Sequence, residues 1–186
     1  MSEEDFARLV SLACHDLRSP LATVSGFAKT LVRTAELDER STRFLGMIDE
    51  AGGQLADLID LLSLAARIAG GRYEPLLGDA DTLGLASSAD ERVAVEGRGE
   101  RIETDVEAVR RSLESLAIAA VRHGGLELAT WTVDGRELTL APVTAEAGPV
   151  LLGESPRDLG SLVARMTIER LGGTLARDGE ALRVRL

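Results

Sequence analysis

Two long runs of helical periodicity open this 186-residue chain and leave it few ways to fold. In the first, Phe6, Val10, Ala13, Leu17, Leu21, Val24, Ala28 and Leu31 recur in steps of three and four. That spacing draws one narrow apolar seam along an amphipathic helix. In the second, Phe44, Met47, Ile48, Ala51, Leu55, Leu58, Leu62, Ala65 and Ile68 repeat the pattern, and Gly70-Gly71 ends it. Ser2 ahead of Glu3, Glu4 and Asp5 reads as a helix start, with a capping hydroxyl and acids at the positive end of the dipole. The polar break from Thr34 to Arg40 is short, so the helices return antiparallel as a hairpin. Leu58, Ile59, Leu61 and Leu62 point in more than one direction, and one hairpin cannot cover them all. Two hairpins joined in a four-helix bundle can, so the sequence predicts a homodimer through residues 1–71.

Beyond Tyr73-Glu74-Pro75 the texture changes to glycines and short strand-like runs. Strands are expected at 92–95, 126–133, 137–143 and 181–186, with Asp134-Gly135 as a tight hairpin turn. Helices are expected near 105–123 and 156–171. A mixed sheet with helices on one face fits this order. The predicted fold class is α+β: a helical hairpin over 1–71, then a small α/β sandwich over 72–186.

Composition excludes several functions. The net charge of −10 argues against a general nucleic-acid binder. No apolar run approaches the roughly 20 residues that span a bilayer, so no membrane segment is expected. Cys14 is the only cysteine, which rules out a disulfide framework and a cysteine metal cluster. The acidic start, MSEEDF, lacks a signal-peptide pattern. A reducing cytoplasm is the expected compartment.

The first helix carries an unusual stretch, Cys14 to Phe27, with His15, Asp16, Arg18, Ser19 and Pro20 in close order. His15 lies two residues from both Ala13 and Leu17, about 200° around the helix from either, and so faces away from the seam. Its neighbours three and four places off are Ser11, Leu12, Arg18 and Ser19. Pro20 cannot donate to the Asp16 carbonyl, and an interior proline costs about 3 kcal/mol. The periodicity nevertheless runs through it unbroken, which predicts one bent helix. An exposed imidazole beside an acid is equipped for nucleophilic chemistry.

The run His15-Asp-Leu-Arg-Ser-Pro-Leu21 closely resembles the phosphoacceptor box of two-component sensor histidine kinases. The resemblance extends over nearly the whole chain, from a dimerisation and phosphotransfer hairpin to a region like that family's ATP-binding domain. It implies that His15 is the phosphorylated residue and that Asp16 orients or deprotonates the imidazole. It further implies that Arg18 helps hold phosphate, and that Ser19 stands where relatives position a water for dephosphorylating a partner.

The second region departs from the family's pattern. Ser115 and Ala119 stand where the family carries asparagines, and alanine has no donor for the Mg²⁺ that the second asparagine ligates. Glu146 rather than aspartate precedes Gly148, and about a dozen residues between the strand ending at Val143 and the helix near Pro156 are too few for both a recognition loop and a lid. Ser155-Pro156-Arg157-Asp158 reads as a capping box, with proline at the first helical position and Asp158 at the third. That would put a carboxylate where ATP phosphates need positive potential. His123 is expected at a helix end, Trp131 on a strand, Cys14 in packing, and the glycine pairs at turns or close approaches.

The expected function is a dimeric histidine phosphotransferase, a pseudokinase that moves phosphoryl groups between receiver-domain aspartates through His15. This chain would bind no cofactor, Mg²⁺ being held by the partner receiver domain of a response regulator. Two alternatives are an ATP-using kinase core with an altered nucleotide site and a non-catalytic module that binds a response regulator.

Overall fold

The computed structural model describes residues 2–34 and 37–186, so Ala35 and Glu36 of the polar break lie outside the described residues. The chain divides into two compact units, Met1–Arg72 and Tyr73–Leu186.

The first unit is the helical hairpin. Helix α1 spans Glu3–Thr34 and passes through Pro20 without ending. Its start is a reciprocal cap, in which the Asp5 amide donates to Ser2 Oγ at 3.1 Å and the Ser2 amide to Asp5 Oδ2 at 3.2 Å. Helix α2 spans Glu39–Ala69, and Asp38 caps it by accepting from the Ser41 amide at 2.7 Å. Hydrogen bonds from the Ser41 side chain and amide hold the Asp38 carboxyl below its usual pKa. Gly70 ends the helix, and Gly71 turns the chain at φ +64°.

The expected seam is corrected in one respect. The face that α1 turns to α2 carries Ala7, Cys14 and Ala28, all buried, with Leu21 half-buried between them. These residues recur every seven positions, and Ala13 is exposed instead. Small residues win this face because α2 comes close: a Cβ added to buried Gly52 would strike Ser25 Oγ. The larger apolar residues of the expected seam stay open on the hairpin. Phe6, Leu17, Val24 and Leu31 of α1 are 44% to 55% exposed, and Phe44, Met47, Ile48, Leu55, Leu58 and Leu62 of α2 are 39% to 57% exposed.

The second unit is a mixed α/β layer. In chain order it contains β1 (Leu77–Asp81), α3 (Thr82–Ala86), β2 (Val93–Gly99), β3 (Arg101–Asp105), α4 (Val106–Gly124), β4 (Ala129–Gly135) and β5 (Glu137–Ala141). Then follow α5 (Gly148–Leu151), α6 (Leu159–Arg170), β6 (Thr174–Asp178) and β7 (Ala181–Arg185). Five strands form one sheet in the order β2-β4-β5-β7-β6, in which β2 and β4 are parallel and the other neighbours antiparallel. β1 and β3 make a separate antiparallel pair. Alternation along the central strands sends Ala129, Trp131, Val133, Leu138, Leu140, Leu182 and Val184 into the core. There they meet Leu113, Leu116 and Ala120 of α4 and Ala164 and Ile168 of α6.

Several boundaries move. The strand expected from Leu126 begins at Ala129, because Gly125 adopts φ +62° and Leu126 donates back to the Val121 carbonyl, closing α4. The turn expected at Asp134-Gly135 is present, with Asp134 paired to Glu137 and Gly135 at φ +60°. At the junction of α6 and β6, a Cβ on Gly173 would lie 2.6 Å from the Arg185 carbonyl oxygen and 2.7 Å from Ile168 Cγ2. Neither backbone nor buried isoleucine yields easily. Gly173→Ala is therefore expected to destabilise the second unit by about 1–3 kcal/mol, read as a lower midpoint in urea unfolding followed by Trp131 fluorescence.

Candidate phosphoacceptor site

His15 projects from the middle of α1 with its side chain 78% exposed. Its Nδ1 lies 3.1 Å from Asp16 Oδ1. An ionised carboxylate only accepts, so the neutral tautomer that makes this contact carries its proton on Nδ1 and leaves the Nε2 lone pair free. Pro20 adds a local feature: lacking an amide hydrogen, it leaves the Asp16 carbonyl without its helical donor. Ser19 is exposed, and its carbonyl accepts from Thr23 Oγ1 at 3.0 Å.

Arg18 is held otherwise than the sequence alone indicates. Its Nη2 donates to Asp60 Oδ1 of α2 at 2.8 Å. Lys29 makes the companion pair with Asp49 at 3.4 Å. Moving from Arg18 to Lys29 along α1 is matched by an equal step back from Asp60 to Asp49 along α2, as one antiparallel register requires. Between the two pairs lies a groove floored by Leu21, Ala22, Ser25, Gly52, Gly53 and Ala56. On the other side of His15, Arg72 Nη2 donates to Ser11 Oγ at 3.2 Å, one helical turn before the imidazole. Asp60 and Arg72 are absent from the sequence-based set. The hairpin register, once fixed by close approach at Gly52, would have found Asp60; nothing local marks Arg72.

In the second unit, α4 and α6 pack side by side. Ala119 is 1% exposed. Ser115 lies against Gly160, where an added Cβ would meet its Cβ and Oγ at 3.3 Å. The capping box expected at Ser155 is corrected. Helix α6 starts at Leu159, and Asp158 itself is the cap, accepting from the Ser161 amide at 2.9 Å. Asp158 wins because its backbone is extended and the Arg122 guanidinium and the His123 ring converge on its other oxygen. Arg122 Nη1 stands 3.3 Å and His123 Nε2 3.2 Å from Asp158 Oδ2, and the Asp158 side chain is only 9% exposed. The segment before α6 is folded rather than open: Ala147, Val150 and Leu151 are buried, and Ser161 Oγ donates to the Val150 carbonyl at 3.2 Å. Trp131 lies in the sheet core and Cys14 in the hairpin core.

No helix among the described residues is long and apolar enough to cross a membrane. The His Kinase A (phospho-acceptor) domain family matches residues 7–71. Over 174 residues, 84% of the chain, the sequence is 29% identical to the histidine protein kinase DivJ of Caulobacter vibrioides, and it spans 28% of that protein's length. Full-length ShkA, crystallised with AMPPNP, has the same fold at a TM-score of 0.69 and 20% identity, over 95% of this chain and 44% of that one. The histidine kinase AdeS of Acinetobacter baumannii follows at a TM-score of 0.57 and 17% identity, over 92% of this chain and 96% of that one. Residues 7–71 thus match the His Kinase A phospho-acceptor domain, and together with the mixed-sheet unit that follows them the chain shares its fold with two-component histidine kinase catalytic cores.

Proposed function

We propose that the chain is a dimeric histidine phosphotransferase that carries phosphoryl groups between receiver-domain aspartates through His15 and binds no nucleotide. The Nε2 lone pair attacks the phosphorus of an aspartyl phosphate on the receiver. The P–O bond to the aspartate breaks and its carboxylate leaves, while the Nδ1 proton stays against Asp16. The reverse step delivers the group to a second receiver. Mg²⁺ held by the receiver neutralises the phosphoryl oxygens. The open apolar face of the hairpin supports a second copy as the bundle partner.

The observation that carries the nucleotide-free reading is Asp158. A glycine-rich helix start attracts phosphate with unmatched amides and positive potential. Here a carboxylate satisfies the Ser161 amide and is itself matched by Arg122 and His123. Ala119 offers no ligand atom for magnesium, and Val150 and Leu151 pack the segment that would supply a lid. The residues present do not fit a magnesium nucleotide.

The competing reading, an ATP-using kinase, draws on the likeness to ShkA, whose crystal structure contains AMPPNP. Calorimetric titration of the chain with AMPPNP and Mg²⁺ separates the two. The expected result is no heat of binding up to millimolar ligand; a micromolar dissociation constant would replace the transferase with the kinase.

A further inference from the structure

We infer that Asp60 is a positioning residue for phosphoryl transfer at His15: by pairing with Arg18 it sets how much positive charge faces the imidazole. The inference rests on the reading of His15 as phosphoacceptor. Arg18 follows His15 by three positions, so the two side chains are surface neighbours on α1. The Asp60 carboxylate reaches it from α2 at 2.8 Å, and both partners are close to half exposed, at 46% and 44%. A pair so placed contributes little to stability and exchanges partners readily. Arg72, on the other side, is held by the uncharged Ser11 hydroxyl.

A phosphoryl group arriving at Nε2 brings several anionic oxygens, a better match for a guanidinium than one carboxylate oxygen. Arg18 therefore has two competing acceptors, Asp60 at rest and the phosphoryl group during transfer. Asp60 lowers the charge available to the incoming group and raises the cost of drawing Arg18 across. The rate of phosphoryl acceptance then depends on α2, through a residue that does not touch the reacting atoms.

Potassium phosphoramidate tests this without a receiver. Nε2 attacks its phosphorus, the P–N bond breaks and ammonia leaves, giving phosphohistidine. Losing or gaining one half-exposed ionic contact to the phosphoryl group corresponds to about a 2- to 5-fold rate change. Asp60→Asn is expected to accelerate labelling of His15 by about that factor and Arg18→Gln to slow it similarly, with Asp60→Glu restoring the parent rate. In the Arg18→Gln background, Asp60→Asn should change nothing, because its effect passes through Arg18. A D60N rate equal to or below the parent's, or a D60N effect that persists without Arg18, overturns the assignment of Asp60. No label on His15 in the parent chain overturns the phosphoacceptor reading itself, and Asp60 with it.

Discussion

Replacing His15 with alanine is expected to abolish acid-labile phosphate on the chain when it is mixed with a phosphorylated receiver and Mg²⁺. The effect should be complete rather than graded, because on the proposed function the substitution removes the imidazole that forms the N–P bond. His123, the other histidine of the sequence, has Nε2 within 3.2 Å of Asp158 and a side chain only 22% exposed, so it offers no substitute. Folding should be untouched. His15 is 78% exposed, and surface substitutions of that kind usually move stability by within about 0.5 kcal/mol. The measurement is radiolabel on the chain, followed through acid and base treatment, with circular dichroism confirming the helices. Equal label on parent and His15→Ala removes the proposed function. Equal receiver binding with no label on either protein favours the non-catalytic binding module.

Asp16→Asn divides the same site more finely. An amide can still contact Nδ1 but carries no charge to stabilise the imidazolium that forms as Nε2 attacks. Labelling is expected to fall by about 10- to 100-fold without disappearing, since an unassisted imidazole remains a nucleophile. Unchanged labelling would show that the 3.1 Å contact has no part in the chemistry.

The hairpin was legible because its signals are long and repeat. More than twenty residues of three-four periodicity outweigh one proline, and α1 runs through Pro20 as expected. Short strands with clear alternation, β5 and β7, were legible; those without it were not. β1 reads Leu-Gly-Asp-Ala-Asp, with only Gly78 and Ala80 at its half-buried positions, and β6 is mostly exposed, so neither carries the large apolar residues at every second place that mark a strand in sequence. The cap of α6 was misplaced for a local reason: Ser155 and Pro156 form a good start signal. What decides for Asp158 is tertiary, namely Arg122 and His123 arriving from α4. The same holds at the phosphoacceptor site. The linear motif supplies His15, Asp16, Arg18 and Ser19, whereas Asp60 enters only through the pairing of two helices.

Leu55→Glu is expected to convert the protein from dimer to monomer. Leu55 belongs to a stripe with Phe44, Ile48, Leu58 and Leu62, whose members are 39% to 52% exposed on one hairpin. The groove residues Asp49, Gly53, Ala56 and Asp60 occupy a different side of the same helix, so the stripe is not spoken for within the protomer. Burying a leucine is worth about 1.5–3 kcal/mol, and an unpaired carboxylate in its place costs several more. Two-fold symmetry applies the change twice in each bundle. The sum exceeds about 4 kcal/mol, or a thousandfold in dissociation constant. Glutamate keeps the helix propensity of leucine, so loss of association is separable from loss of the helix. Leu128→Glu makes the same chemical change at a residue 49% exposed in the second unit and should leave the dimer intact. Sedimentation equilibrium over a hundredfold range of concentration decides it. A monomeric parent, or a Leu55→Glu dimer as tight as the parent's, would mean that the open apolar stripe does not join two hairpins.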